Sequence, residues 1–540
     1  MWRAQKMAPD TPNHALTMWD VDGELDGKAI GSAFLHVMGE AEVLRVNFVD
    51  EGGRLRLVPR ELGDWQPFFL DLGDEPDPER AAREALADLV RRPFDLERDL
   101  LFRLGVVRLG PSRSLLVIAY HHLVSDGFGA GGLLSRRLAE GYTALVRGEP
   151  VPEPEHPWDA ASFAAEAADY LASPRFTEDT EFWRDYLKDA PAPAQLPRVA
   201  LSDAQRTALS EPLGSADRWS EVAETIGMVS RTLTVPRAEA EAWTEAARSL
   251  GLWKSQLLTA AAAVFLRHRC DRPEFLFSLA VSNRVGVASR TPGLAVNVVP
   301  VRAAVPLGAT FAEVADALVD ETYEIFDHTA CHYSDIQRAS GTVLSGRGSF
   351  GAVVNVVEFA EQLHFGDSPA RYSGATTGTF EELSIGVYTD GSADSDLYVR
   401  LDAPAGLYHR AELRFIGEEL IAHIRAAVAD PERPVGALDV LEGAERDRVL
   451  AAPADPDGPD ADATVAELFA RRVEQDPDGT ALVCGDLALS SRELDARATR
   501  LAEALRRRYI GPETVVAVAL PRSADLAVAL LGVAKAGAAY

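Results

Sequence analysis

Two adjacent histidines, His121 and His122, close a hydrophobic run and lead into Asp126, Gly127 and Gly129 (AYHHLVSDGFG, 119–129). Histidine, with an unperturbed pKa near 6.5, is the natural side chain to take or share a proton at neutral pH. Neighbouring residues at a strand end point to opposite sides, so one ring can face a channel while the core holds the other. Asp126 follows His122 by four residues. It either orients the ring or anchors the loop through a cation elsewhere. Gly127 and Gly129 would let the backbone approach a substrate closely. The plain alternative is a hydrogen-bonded structural pair with no chemistry. A metal site is weaker still, because no further His, Cys or carboxylate cluster at ligand spacing accompanies the pair.

These residues need a scaffold. Residues 101–109 (LFRLGVVRL) and 114–120 (SLLVIAY) read as strands, and the intervening GPSR supplies the turn of an antiparallel hairpin. Residues 79–92 carry apolar positions at helical spacing, and a second helix is expected over about 129–143. A proline-rich linker at 147–157 precedes a helical stretch with Phe163, Tyr170, Phe182 and Trp183, and a polar break spans about 190–212. A second mixed section, about 226–440, opens with a strand at 230–235 and a helix at 237–250. A fully apolar helix follows at 257–266, then strands at 274–281, 295–302 and 351–359. Residues 452–463 (APADPDGPDADA) are a linker too poor in apolar residues to fold alone. Residues 464–540 start afresh with a helix, a strand pair and further helix, the last at 526–540. They read as a fragment of something larger, exposed to proteases at the linker.

The chain has 540 residues, enough for about three or four domains. It is 47% hydrophobic and 25% charged, which is ordinary globular usage. Its 54 basic and 83 acidic residues give a net charge of −29, which argues against binding nucleic acid or an anionic membrane through bulk charge. The longest apolar stretch, 257–266, is too short for a membrane span, and the first twenty residues lack signal-peptide character. Cys270, Cys331 and Cys484 form no disulfide framework and no zinc spacing, so a cytoplasmic setting is expected.

The segment 121–127 matches the HHxxxDG motif of condensation domains of nonribosomal peptide synthetases. Further segments resemble that family in its order: WRAQ (2–5), SNR (282–284) with GLAVNVVP (293–300), HTACHY (328–333), NVVEF (355–359) and FEEL (380–383). LSSREL (489–494) and LGVAKAGAAY (531–540) resemble the first two core motifs of adenylation domains. The resemblance implies an α/β fold of two chloramphenicol-acetyltransferase-like lobes in a V-shaped pseudo-dimer. Residues 1–160 would form the first lobe, 161–445 the second, 446–463 a linker and 464–540 the start of an adenylation domain.

It further implies amide formation between a donor acyl thioester and an acceptor amine, which meet at His122. Both would be carried on the 4'-phosphopantetheine of upstream and downstream carrier domains, with no cofactor bound covalently to this chain. The remainder of the adenylation domain is a further implied partner. By the same resemblance His122 and Gly127 are catalytic, Gly127 through its N–H. His121 is structural, Asp126 pairs with Arg284 of the second lobe, and Asn297, Asn355 and Glu382 are tunnel-lining candidates. An epimerisation domain shares HHxxxDG but follows a carrier domain, so the adenylation-like tail counts against it. Heterocyclising variants lack the histidine pair. Non-catalytic recruitment platforms usually lose the second histidine or the glycine, and both are present. A free-standing acyltransferase is the remaining alternative. The 293–300 segment leans towards siderophore-type synthetases.

Overall fold

The apolar run at 257–266 lies in the helix Lys254–Cys270, where every residue from Leu257 to Arg267 is buried. A helix apolar on all sides belongs inside a core, and helices Phe311–Phe326 and Arg410–Ala429 pack against it. The computed structural model describes residues 2–7, 13–52, 54–199, 201, 203–341, 350–357, 360–438, 440, 463–485 and 487–540. It divides into two compact units, Met1–Val440 and Leu441–Tyr540. Most of the expected linker, and Glu358 and Phe359, lie outside the described residues.

In the first unit the strands are β1 (His14–Asp22), the hairpin β2 (Val46–Glu51) and β3 (Arg54–Pro59), β4 (Phe68–Asp71), β5 (Phe102–Gly110) and β6 (Arg113–His121). Then come β7 (Met228–Val235), β8 (Glu274–Val281), β9 (Asn297–Ala304), β10 (Val353–Val356), β11 (Leu363–Phe365), β12 (Ser368–Thr377), β13 (Ser384–Tyr388) and β14 (Leu397–Pro404). One mixed sheet runs β11-β12-β1-β6-β5-β4 and a second β7-β14-β13-β10-β8-β9. β5 and β6 are the expected antiparallel hairpin.

β6 is buried on both faces. Leu116, Ile118 and Tyr120 pack with Phe34, Val37 and Leu138 of the helices Gly27–Glu40 and Ser135–Val146. Leu115, Val117 and Ala119 face the other way, towards Leu86 and Val90 of the helix Pro78–Arg91. This two-residue alternation carries past the strand end and sends His121 and His122 to opposite sides.

Strands β1, β4, β5 and β6 of the first sheet all precede residue 160, and two strands from beyond it, β11 and β12, join them. β12, from the second half of the chain, pairs antiparallel with β1 and completes the first sheet. Trp219, Val222 and Met228 also join the apolar cluster under β6. A short strand such as β11, three residues long, gains its stability from neighbours in space, so its lobe cannot be assigned by position in the chain.

The second unit holds helices Val465–Gln475, Ser491–Arg506 and Ala524–Ala536 and the hairpin β15 (Thr480–Cys484) and β16 (Leu487–Ser490). The last helix starts and stops earlier than the expected 526–540. Ser523 caps its first turn and Gly537, at φ +83°, ends it in the left-handed conformation.

Candidate active site

His121 is the last residue of β6, opposite His14 of β1, and is 1% exposed. Its Nδ1 accepts the Leu123 N–H at 3.1 Å, which places the ring proton on Nε2, 3.2 Å from Gln5 Oε1. Gln5 belongs to the short helix Trp2–Met7, so the opening segment braces this ring. Burial, helped by the neighbouring His14 and His122, pushes the His121 pKa down to about 3. His14 lies with its Nδ1 2.7 Å from the Val90 carbonyl, and burial lowers its pKa to about 4 although that bond works against the shift. Both imidazoles are neutral at pH 7 and built into the core.

His122 has left the sheet. Its N–H donates to the Asn13 carbonyl at 3.0 Å and its half-buried ring stands edge-on to Tyr120, with centroids 6.1 Å apart. Gly378, just beyond β12, lies alongside at φ +97°. A Cβ there would come within 2.9 Å of His122 Cδ2 and 3.0 Å of Asn13 Oδ1. The site therefore requires glycine twice, for backbone conformation and for room beside the ring. No motif in the sequence pointed to Asn13 or Gly378.

Asp126 is 1% exposed and has four hydrogen bonds. Oδ1 accepts from the Gly129 N–H at 2.8 Å and from Arg284 at 2.5 Å, and Oδ2 accepts from the Ala295 and Val296 N–H groups at 2.7 and 2.8 Å. Burial works to raise its pKa, but Arg284 and the Ala295, Gly129 and Val296 N–H groups outweigh it and hold the carboxyl below its usual range. Arg284 also donates to the carbonyls of Ala288, Thr291 and Gly293 and stacks over Phe128, 5.0 Å from the ring centre. The pairing implied by the resemblance is made. Of the two roles open to Asp126, its bonds to Gly129, Arg284, Ala295 and Val296 fit the loop anchor.

Close packing backs the anchor. Ser125 Oγ donates to the Pro292 carbonyl at 2.7 Å, and a Cβ on Gly129 would lie 2.5 Å from that same oxygen. Trp158 Nε1 donates to the Arg290 carbonyl and Glu166 accepts the Val287 and Ala288 N–H groups. Gly127 caps the following helix with φ −58° and ψ −40°, a conformation open to any residue. Of the N–H groups in the first turn, which have no intrahelical acceptors, those of Gly129 and Ala130 are bonded to Asp126. That helix opens with a π-type stretch, Phe128–Leu134, before continuing as Ser135–Val146.

The three tunnel candidates separate. Asn297 is 3% exposed with its amide bonded to backbone, and Glu382 is 2% exposed, bonded to the Leu383 N–H and the Tyr408 hydroxyl. Both sit where the second lobe packs on itself. Asn355 is half-buried on β10, opposite Gly386 of β13. Among the described residues there is no cluster of three metal-ligating side chains, and no single helix is long and apolar enough to cross a membrane.

Residues 1–450 match the family model described as condensation domain, and residues 469–540 the one described as AMP-binding enzyme. The isonitrile lipopeptide synthase of Streptomyces coeruleorubidus is 32% identical over 552 residues, covering 100% of this chain and 35% of that protein. Enterobactin synthase component F of Escherichia coli K12 is 26% identical over 560 residues, covering 100% of this chain and 40% of that protein. This chain thus spans well under half of either relative. The first condensation domain of the calcium-dependent antibiotic synthetase, solved with a substrate analogue, superposes with a TM-score of 0.70 at 25% identity, covering 82% of this chain and 97% of that domain. The motif, the fold and the matched segments agree: the chain belongs to the condensation-domain family of nonribosomal peptide synthetases, with the beginning of an adenylation domain after it.

Proposed function

We propose that this chain forms an amide between a carrier-bound acyl or peptidyl thioester and a carrier-bound aminoacyl amine. The observation that carries the reading is the division of labour among three adjacent ionisable groups. Asp126 is fully hydrogen-bonded and its carboxyl is held in the charged form, so it is a poor proton acceptor. His121 is buried and neutral. Proton handling then falls to His122, half-buried beside Gly378.

In this reaction the amine nitrogen attacks the thioester carbonyl carbon, a C–N bond forms and the carbonyl electrons move to oxygen. The tetrahedral species collapses with cleavage of the C–S bond, and the proton lost by nitrogen ends on the departing thiolate. His122 holds the neutral amine and relays that proton. The Gly127 N–H is the proposed donor to the developing oxyanion, since Asp126 already holds the Gly129 and Ala130 N–H groups. Holding both reactants at near-attack distance supplies the rest. The phosphopantetheine arms belong to the partner carriers and enter as part of the substrates. Carrier domains on either side and the rest of the adenylation domain are the proposed partners. The siderophore-type product rests on residues 293–300 alone. Of the two relatives above, the lipopeptide synthase is the more similar, 32% against 26%.

The experiment is to incubate the full chain with panels of acyl-pantetheine donors and aminoacyl-pantetheine acceptors and to weigh the products. An amide that forms only when both thioesters are present is the expected result. Release of free acids without amide would make the chain a thioester hydrolase and overturn the reading.

A further inference from the structure

One side chain closes the base of the excursion between β8 and β9. Asn297 pairs with Val281, so the chain leaves the second sheet and returns to it at that rung. Among the described residues, the second-lobe hydrogen bonds to Asp126 all come from this excursion: Arg284 and the Ala295 and Val296 N–H groups. The Asn297 amide uses all of its hydrogen-bonding positions at this base. Nδ2 donates to the carbonyls of Thr329 and Cys331 at 2.8 and 2.7 Å, and Oδ1 accepts the N–H groups of Tyr333 and Val298 at 3.0 and 2.9 Å. A carboxamide has two donors and two acceptor lone pairs, so none remains for a substrate. The 329–333 segment that it grips is itself anchored. The His328 ring lies with Nδ1 2.8 Å from Asp179, and Trp183 donates to the His328 carbonyl at 3.0 Å. Asp179, wholly buried, also accepts the Tyr170 hydroxyl at 2.8 Å.

We propose that Asn297 is a positioning residue for the condensation site. By tying the start of β9 to the 329–333 segment, it fixes the Ala295 and Val296 N–H groups, and through Asp126 it fixes the loop that begins at His122. Among the described residues, those two N–H groups are the recorded partners of Asp126 Oδ2. Buried polar networks behave as units, so loss of one member is felt along the chain of bonds. The inference rests on the reading of His122 as the proton-handling group.

The test uses the full chain and Asn297→Asp, which keeps the size but turns both donors into an oxygen aimed at two carbonyls. Amide hydrogen exchange is followed by mass spectrometry without substrate. Exchange in residues 122–130 and 282–296 is expected to rise at least about tenfold, with the helix Pro78–Arg91 unchanged. With the acyl-pantetheine and aminoacyl-pantetheine pair turned over fastest by the unmodified chain, kcat is expected to fall about 10- to 100-fold at nearly constant KM. Unchanged protection of 122–130 overturns the proposal, and so does altered protection with unchanged kcat. If Asn297→Asp does not fold, Asn297→Ser, which replaces the amide by a shorter hydroxyl without adding a charge, is read in the same way. His122→Ala is measured beside it: full turnover by that variant would defeat the proposed function, whereas an inactive His122→Ala with an unaffected Asn297 variant defeats only this inference.

Discussion

Asp126 and Arg284 are 158 residues apart in the chain and meet at 2.5 Å, with side chains 2% and 5% exposed. One belongs to the loop after β6 and the other to the excursion after β8, so the pair fastens the histidine loop of the first sheet to the second. Removing one partner leaves a buried charge uncompensated, which costs about 3–5 kcal/mol. Asp126→Asn and Arg284→Met should each lower the unfolding midpoint accordingly. Together they should recover part of the loss, and fully additive losses in that cycle would count against direct coupling.

The same pair sets a direction with acid. The Asp126 pKa is lowered in the folded state, so its contribution to stability is complete above the unfolded value of about 3.9 and disappears as pH falls through the folded value. Asp126→Asn should abolish that component. Denaturant midpoints between pH 6 and pH 3 measure it, and identical acid slopes in both proteins would contradict the assignment.

Buried imidazoles act at a higher pH. His121 and His423, lowered by burial to about 3 and about 4, bind protons readily only when the chain unfolds. Their folded values lie below the unfolded value near 6.5, so stability is complete above that pH and falls as pH drops towards the folded values. Each should contribute a loss of about 1–2 kcal/mol between pH 7.5 and pH 5.5. His121→Asn, if it folds, should flatten the pH dependence of the denaturation midpoint over this window.

Gly378 should matter to turnover more than to folding. The Cβ of Gly378→Ala would lie 2.9 Å from His122 Cδ2 and adopt a φ of +97°, so either the ring or the strand end must shift. Since the residue sits beyond the end of β12, the expected outcome is at least a tenfold fall in kcat with a melting temperature only a few degrees lower. A variant with normal kcat would show that the ring has room to move.

Local signals in the sequence account for what was legible. The strand pair at 101–120 alternates β-branched and aromatic residues around a Gly-Pro turn, and the 257–266 helix is too apolar to lie anywhere but a core. The fastening of Asp126 to Arg284 came from motif resemblance, since nothing local relates residues so far apart. β12 (SPARYSGATT) has few strand-favouring residues and owes its place to pairing with β1, so its return to the first sheet is not legible from its own residues. Asn297 and Glu382 were expected to face substrate because they stand in motifs. Their amide and carboxyl satisfy buried backbone and a tyrosine hydroxyl, a demand that only the assembled second lobe reveals. Gly378 and Asn13 meet His122 through tertiary packing alone.

The most direct measurement is amide formation by His122→Ala on the donor and acceptor thioesters that the unmodified chain couples. A positioned proton-transfer group is worth about 10²–10⁴-fold in rate. The expected result is a loss of that size with the fold intact, while His121→Ala chiefly lowers stability because it empties a buried site between Gln5 and Leu123. Near-normal coupling by His122→Ala would contradict a proton-handling role for His122.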